Sequence, residues 1–302
     1  MRIAVLGPGG VGGLIAVALE QAGTRVVVVA RESTCKAIEA HGIRLQSVRF
    51  GELVAHPPAL SHLQEPVDAL IVATKAIGLP EALARVHVGP PLVLPLLNGL
   101  DHLALLRERF DPQTVAAAAI RVESDRPQPG VIVHTSPFLR VDMAGPPALR
   151  ERCEQLAATL EQAGVPSRVL DCEADVMWGK LVRLNALACT TSAYDMPIGR
   201  IRTTPELRAE LIGAIEEGCA VAGAEGASID PAKPLLELTE AHATLGSSMQ
   251  RDIAAGRTPE LDAIPGAVLR AGARNGIACP TIERLAGAIA LRAGIPAPAL
   301  DG

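Results

Sequence analysis

Three places along this chain carry residue types that can do chemistry. Gly7, Gly9 and Gly12 form Gly-x-Gly-x-x-Gly directly after a short apolar run. There the first glycine permits a tight turn and the second lets backbone approach a pyrophosphate. The third lets a following helix pack closely while its N-terminus faces the anion. Gly10 and Val11 begin that helix and complete the anion-binding set. Lys180 lies in Asp175-Val-Met-Trp-Gly-Lys180 and, at helical spacing, shares a face with Met177, Leu184, Leu187, Ala188 and Thr191. A lysine on an apolar stripe is uncommon. Desolvation would bring its pKa down toward that of a proton donor at neutral pH; the plain alternative is an ammonium that snorkels to water. Glu260, in Thr258-Pro-Glu260, reads either as a functional carboxylate or as the acidic first turn of a helix capped by Thr258, with Pro259 at its first position.

Secondary candidates lie where strands should end. Arg31 follows the second apolar run, about 20 residues past the glycine turn, where an arginine suits the 2′-phosphate of NADP and an acidic residue the ribose hydroxyl of NAD. Arg31 favours NADP, and Glu32 beside it keeps NAD open. Lys75 and Asn98-Gly99 follow two further apolar runs, at the strand ends where ligands of doubly wound sheets bind. A solvated lysine and an Asn-Gly turn are the alternatives there.

These residues need a scaffold, and the pattern supplies one. A strand over residues 3–6, a helix over 10–22 and a strand over 25–30 make a βαβ beginning. Continuous apolar runs at 69–74, 91–97 and, more weakly, 114–120 predict a mostly parallel sheet buried on both faces. Residues 131–135 and 138–142 are expected to pair antiparallel at the sheet edge, followed by a helix over 148–163 stopped by Gly164 and a strand near 168–170. Beyond residue 170 strand signals vanish. Helices are expected over 171–192, 204–224, 235–256, 262–276 and 281–293, with a frayed tail after Ile295. The prediction is an α/β Rossmann-type doubly wound domain, residues 1–170, followed by an all-helical domain, residues 171–302.

Composition narrows the class. The 302 residues are 49% hydrophobic but 2% aromatic, so Leu, Val, Ile and Ala must fill the core. A net charge of −5 argues against general nucleic-acid binding. Six cysteines show no metal-ligand spacing, so they read as reduced thiols of a cytoplasmic protein. No apolar run reaches membrane-spanning length, and the first strand leaves no room for a signal peptide.

Together the residues resemble the ketopantoate reductase (2-dehydropantoate 2-reductase) family. The likeness runs nearly end to end: the glycine turn, Arg31, Thr74-Lys75-Ala76, Asn98-Gly99, Pro129-Gly130-Val131, Trp178-Gly-Lys180, Pro197-Ile-Gly199, Ser247-Ser-Met249, Asp252, Gly256-Arg257, Glu260-Leu-Asp262, Gly276-Ile277 and Pro280. The resemblance implies an NADPH-dependent oxidoreductase of pantothenate biosynthesis that reduces a 2-oxo acid to its 2-hydroxy acid. It implies substrate in a cleft between the two domains. It assigns Lys180 as the group that polarises the ketone and supplies the proton, and Glu260 as the carboxylate that orients that lysine and the substrate. It also gives Ser248 to the substrate carboxylate, and Lys75 and Asn98 to the nicotinamide and substrate crevice. The helical domain is then the substrate-binding one, and its Ala/Leu-rich helices are compatible with a homodimer.

One departure bears on substrate. Family members acting on ketopantoate commonly carry asparagines four and eight residues after the lysine; here these are Leu184 and Ala188. Asn185 is turned about 140° from Lys180 around the helix, and Thr191, on the lysine's own face, is the candidate to replace a lost polar contact. Asn185 and Thr191 are therefore kept as candidate substrate residues. The alternatives are a related 2-hydroxyacid dehydrogenase with a less polar substrate and a non-catalytic dinucleotide sensor. Retention of both Lys180 and Glu260 argues against the sensor, which needs neither.

Overall fold

The structure, a computed structural model, describes residues 1–300. The chain divides into two compact units, Met1–Leu97 with His102–Val176, and Asn98–Asp101 with Met177–Gly302. The division falls inside a helix, after residue 170, and the short excursion 98–101 was not foreseen. It joins the second unit because Asn98, Gly99 and Asp101 make their contacts there.

The first unit opens with β1 (Arg2–Leu6), α1 (Gly10–Gln21), β2 (Arg25–Val29) and α2 (Glu32–His41). β3 (Ile43–Ser47), β4 (Gly51–Ala55), β5 (Ala59–Leu60) and β6 (Ala69–Val72) follow, then α3 (Leu79–Leu83), β7 (Val93–Pro95) and α4 (His102–Arg109). The unit closes with β8 (Ala117–Arg121), β9 (Ser124–Gln128), β10 (Val131–His134), β11 (Arg140–Ala144), α5 (Arg150–Gln162) and β12 (Ser167–Val169). Five strands form a parallel sheet in the order β5-β2-β1-β6-β7. Alternate residues of its central strands feed two separate cores. Ile3, Val5, Val26, Val28 and Ile71 enter one; Ala4, Leu6, Val27, Val29 and Val72 enter the other. That two-faced burial is why these strands read as unbroken apolar runs.

α1 is buried from Gly12 through Leu19 without a polar face. It packs against β1 and β2 and also against a second sheet, β4-β3-β10-β9. Gly13 lies against Ile132 so closely that a Cβ there would come within 2.5 Å of the isoleucine Cδ1.

This second sheet corrects the expected edge pair. Residues 131–135 and 138–142 do not pair with each other: β10 runs parallel to β3 and antiparallel to β9, while β11 pairs with β8 and β12 in a third sheet. Gly130, at φ +75°, folds β9 back on β10. Ser136 then turns the chain away, its hydroxyl donating to the Phe138 carbonyl at 2.8 Å and accepting from the Glu123 amide at 2.8 Å. β3, β4 and β9 carry exposed polar residues at alternate or successive positions, which hid them in the sequence.

The second unit is helical, as its pattern predicts: α6 (Glu173–Tyr194), α7 (Ile198–Thr203), α8 (Pro205–Ala224), α9 (Ala232–Glu240), α10 (Ser248–Ala254), α11 (Ala267–Arg274) and α12 (Pro280–Ala293). The first four residues of α6 belong to the first unit. Two expectations fail. The segment 235–256 is broken, because the Ala243 and Leu245 carbonyls accept from the Gly199 and Ile198 amides at the start of α7. Thr258 caps no helix. The next helical residue is Asp262, in a π-helical turn Asp262–Gly266 that leads into α11. Pro265 has no N–H to donate, so the Gly266 amide reaches back five residues to the Leu261 carbonyl at 3.1 Å. In the tail beyond Ile295, largely exposed, the Ala299 carbonyl accepts from Arg270 at 3.1 Å. No helix among the described residues is long and apolar enough to cross a membrane.

His134, 1% exposed, fastens β10 to its surroundings. Its Nδ1 lies 2.8 Å from the Ser47 hydroxyl on β3, and Nε2 lies 3.3 Å from the Ser136 hydroxyl. Burial, then the nearby Arg49 cation, hold this imidazole below its ordinary pKa of 6.5. Below about pH 6.5 the unfolded chain therefore takes up the proton more readily than the folded one, and stability falls as pH drops. Above that value both states are neutral and the contribution is complete. The urea midpoint should drop between about pH 7.5 and about pH 5.5, and the drop should be smaller in His134→Gln. Equal pH slopes in the two proteins would discard this assignment.

Candidate active site

In the first unit the candidate residues gather around the turn after β1. Gly7 has φ +88°, and a Cβ there would come within 2.7 Å of Thr74 Cγ2. Gly12 packs against the Gly7 carbonyl too closely for any side chain. α1 has no side-chain cap at Gly9, so the amides of Gly10 and Val11 open the helix without a side-chain acceptor. Near Gly9 the nearest atom to a notional Cβ is the Ala73 carbonyl oxygen at 3.9 Å. Thr74 Oγ1 is buried beside this turn with no hydrogen-bond partner. Uncapped amides, an open backbone and an orphaned hydroxyl fit a dinucleotide pyrophosphate. Ser124, absent from the sequence reading, supports the turn by donating to the Gly10 carbonyl at 2.8 Å. Only the fold brings β9 there.

Arg31 is exposed at the N-cap of α2, immediately after β2. Its neighbour Glu32 is engaged one turn on, 2.8 Å from Lys36 Nζ, and that ammonium holds the exposed carboxylate below its ordinary pKa. Of the two residues in contention for the ribose, the arginine is the one not already in an ion pair along α2. Lys75 is exposed and begins a short 3₁₀ turn after β6.

In the second unit three candidate residues make one hydrogen-bonded chain. Lys180 Nζ donates to Asn98 Oδ1 at 2.7 Å, and Asn98 Nδ2 donates to Glu260 Oε2 at 2.9 Å. An ammonium only donates and a carboxylate only accepts, so this amide orientation is the one that satisfies both neighbours. Each residue comes from a different piece of backbone. α6 presents Lys180 two residues after Trp178, which is 2% exposed. Glu260 precedes the π-helical turn. Asn98 arrives on the excursion beyond β7, where Gly99, at φ +86°, lies against the Ala263 backbone with no room for a Cβ.

Other sequence candidates are placed elsewhere. Asn185 is 0% exposed; its Oδ1 accepts from the Cys189 thiol at 3.4 Å and its Nδ2 has no partner. Thr191, also 0% exposed, donates to the Leu187 carbonyl at 2.6 Å, and its hydroxyl lies 2.9 Å from that of Ser247. Ser247 in turn caps α10 by accepting from the Gln250 amide at 3.1 Å. Thr191 thus supports the start of α10 and does not join the Lys180 chain. Ser248 is exposed at the first position of α10.

Known proteins share this build. Residues 3–143 match the family model described as ketopantoate reductase PanE/ApbA, and residues 174–293 match its C-terminal counterpart. An uncharacterized oxidoreductase, YkpB, of Bacillus subtilis is 30% identical, over 94% of this chain and 96% of its own. A 2-dehydropantoate 2-reductase of Halobacterium salinarum is 27% identical, over 96% of this chain and 98% of its own. The solved ternary structure of a D-mandelate dehydrogenase with NADH and anilino(oxo)acetate shares the fold, with a TM-score of 0.89 at 21% identity over 97% of this chain and 98% of that one.

The left-handed backbone at Gly99 is a direct test of how Asn98 is held. Gly99→Ala should lower unfolding stability by about 2 kcal/mol or more, since strain and a backbone clash add. Urea titration reads the loss. Wild-type stability would show that 98–101 is not held against Ala263.

Proposed function

The chain belongs to the ketopantoate reductase PanE/ApbA family, and from that premise we propose that it reduces a 2-oxo acid to the 2-hydroxy acid with NADPH. Ketopantoate to pantoate, the reaction of pantothenate biosynthesis, is the first candidate. The observation that carries this reading is the Lys180–Asn98–Glu260 chain. A bound nicotinamide supplies the hydride that reaches the carbonyl carbon. The residues must manage the oxygen. The Lys180 ammonium stabilises the charge that develops there and gives up a proton to it, leaving a neutral amine that solvent reprotonates. Glu260, acting through the Asn98 amide, stabilises the ammonium before transfer and holds its direction. Ser248 is assigned to the substrate carboxylate, and Lys75 to the crevice around the nicotinamide.

For the cofactor, Gly7, Gly9, Gly10, Val11 and Gly12 take the pyrophosphate, and the exposed Arg31 takes the 2′-phosphate. Pairing of Glu32 with Lys36 supports NADPH over NADH, because it reduces the negative charge a phosphate would meet. Free cysteines, Cys153 and Cys189 among the buried ones, suit a reducing, cytoplasmic compartment. A homodimer through the helical unit belongs to the same reading.

A second substrate reading rests on Leu184 and Ala188. Apolar side chains one and two turns beyond Lys180 remove hydrogen bonds that a hydroxylated substrate would use, and a site without them favours a less polar 2-oxo acid.

Two experiments test these readings. Lys180→Ala should lose most of kcat, on the order of a hundredfold or more, while still binding NADPH by fluorescence titration. Unchanged turnover would remove Lys180 as the proton donor, and absence of turnover in the wild type would leave a dinucleotide sensor. Initial rates with ketopantoate and with alkyl and aryl 2-oxo acids, using NADPH beside NADH, decide between the substrates. Selective use of ketopantoate would rule out the less polar substrate, and a preference for NADH would rule out the role given to Arg31.

A further inference from the structure

Arg270 has no part in the steps above, yet it grips both backbone segments that deliver Asn98 and Glu260. It projects from α11 with its side chain 12% exposed. Nη2 donates to Asp101 Oδ2 at 2.6 Å, three residues after Asn98. Nη1 donates to Asp262 Oδ1 at 2.8 Å, and Nη2 to the Asp262 carbonyl at 2.9 Å, two residues after Glu260. Between these anchors the two segments touch directly, Gly99 against Ala263.

We propose that Arg270 is a positioning residue for the reductase reaction: by bridging Asp101 and Asp262 it sets the separation of Asn98 from Glu260, and through Asn98 the direction of the Lys180 ammonium. The inference rests on the roles given to those three residues above. Three physical points support it. A guanidinium is a planar fork whose donors have fixed angles, so it defines the relative placement of two carboxylates; a lysine ammonium does not. The fork is shielded, and a shielded charge held by two carboxylates is harder to displace than an exposed surface pair. Finally, the Asn98 amide must keep hydrogen bonds on both ends at once, at 2.7 and 2.9 Å. A shift of about 1 Å between the segments would break one of them, and misplacement of that size can cost on the order of a hundredfold in rate.

The role separates from plain stabilisation because the outer ends of the clamp are solvated: Asp101 is 44% exposed and Asp262 72%. Asp101→Asn removes the charge of one arm, leaving at best a neutral amide acceptor for the guanidinium, and nearly preserves side-chain shape. It should lower kcat per folded enzyme roughly tenfold while the melting temperature stays within about 2 °C of wild type. Arg270→Lys should lower kcat by a similar factor. In an Asn98→Ala background, either change should alter kcat by less than about twofold, because the group they position is gone. Wild-type kcat in Asp101→Asn and Arg270→Lys would overturn the proposal. So would equal losses with and without the Asn98 side chain. Should Arg270→Lys fail to fold, Asp101→Asn carries the same cycle alone. Lys180→Ala keeps the two readings apart. Full turnover there would remove the underlying assignment. Loss in Lys180→Ala and Asn98→Ala beside normal turnover in Asp101→Asn would remove only the role of Arg270.

Discussion

A positive and a negative side chain held apart by a single amide is the constraint on which the second unit is organised. Had Lys180 and Glu260 met directly, they would form an ordinary ion pair, each group turned toward the other. With Asn98 between them both are hydrogen-bonded to the same amide, which receives the ammonium at 2.7 Å and reaches the carboxylate at 2.9 Å. Partly buried charges need such partners. The amide reaches its place only because residues 98–101 pack with the second unit, with Gly99 in left-handed backbone and Asp101 bound to Arg270. The π-helical turn belongs to the same arrangement. Pro265 forces the wider turn, and Glu260 stands immediately ahead of it.

In the first unit the equivalent constraint is burial of the central strands on both faces. Alternate residues of β1 and β2 enter different cores, so neither face can turn to solvent and the strands cannot slip in register without exposing one set. α1 is confined in the same way by sheets on two sides. A helix held that firmly keeps its uncapped N-terminus at one place beside the Gly7 turn, and affinity for an anion then depends on placement more than on any one side chain. Thr74 Oγ1, buried and unpaired at that turn, is where the fold leaves hydrogen-bonding capacity unused.

Much of this was legible from residue order because the relevant interactions are local. Unbroken apolar runs mark β1, β2 and β6 since each strand satisfies its own pattern, and Gly7 and Gly12 report a turn built from neighbours in sequence. Lys180 stood out through periodicity alone. What failed did so where distant partners outweighed local preference. β3 alternates because one face meets water, while β4 and β9 expose successive residues and so show water on both faces. Residues 235–256 read as one helix until bonds to α7 drew the loop carbonyls away. Thr191 stands on the lysine's face by its spacing, and only the fold shows its hydroxyl meeting Ser247, 56 residues away, at the cap of α10. Asn98-Gly99 carried the signature of a simple turn, and nothing local said that its amide would join Lys180 to Glu260.

Sequence by itself determined the class of element at most positions, the glycine turn after β1, the family resemblance and the two charged groups of the candidate site. Those features follow from backbone geometry and from spacings of a few residues. Tertiary structure decided which groups meet: Asn98 between Lys180 and Glu260, Glu32 with Lys36 leaving Arg31 exposed, and Arg270 across Asp101 and Asp262. Except for the Glu32–Lys36 turn and the Arg270–Asp262 contact eight residues apart, each of these contacts closes a long loop of chain. The free energy for closing it comes from the packed core around the contact, and local sequence carries no record of that.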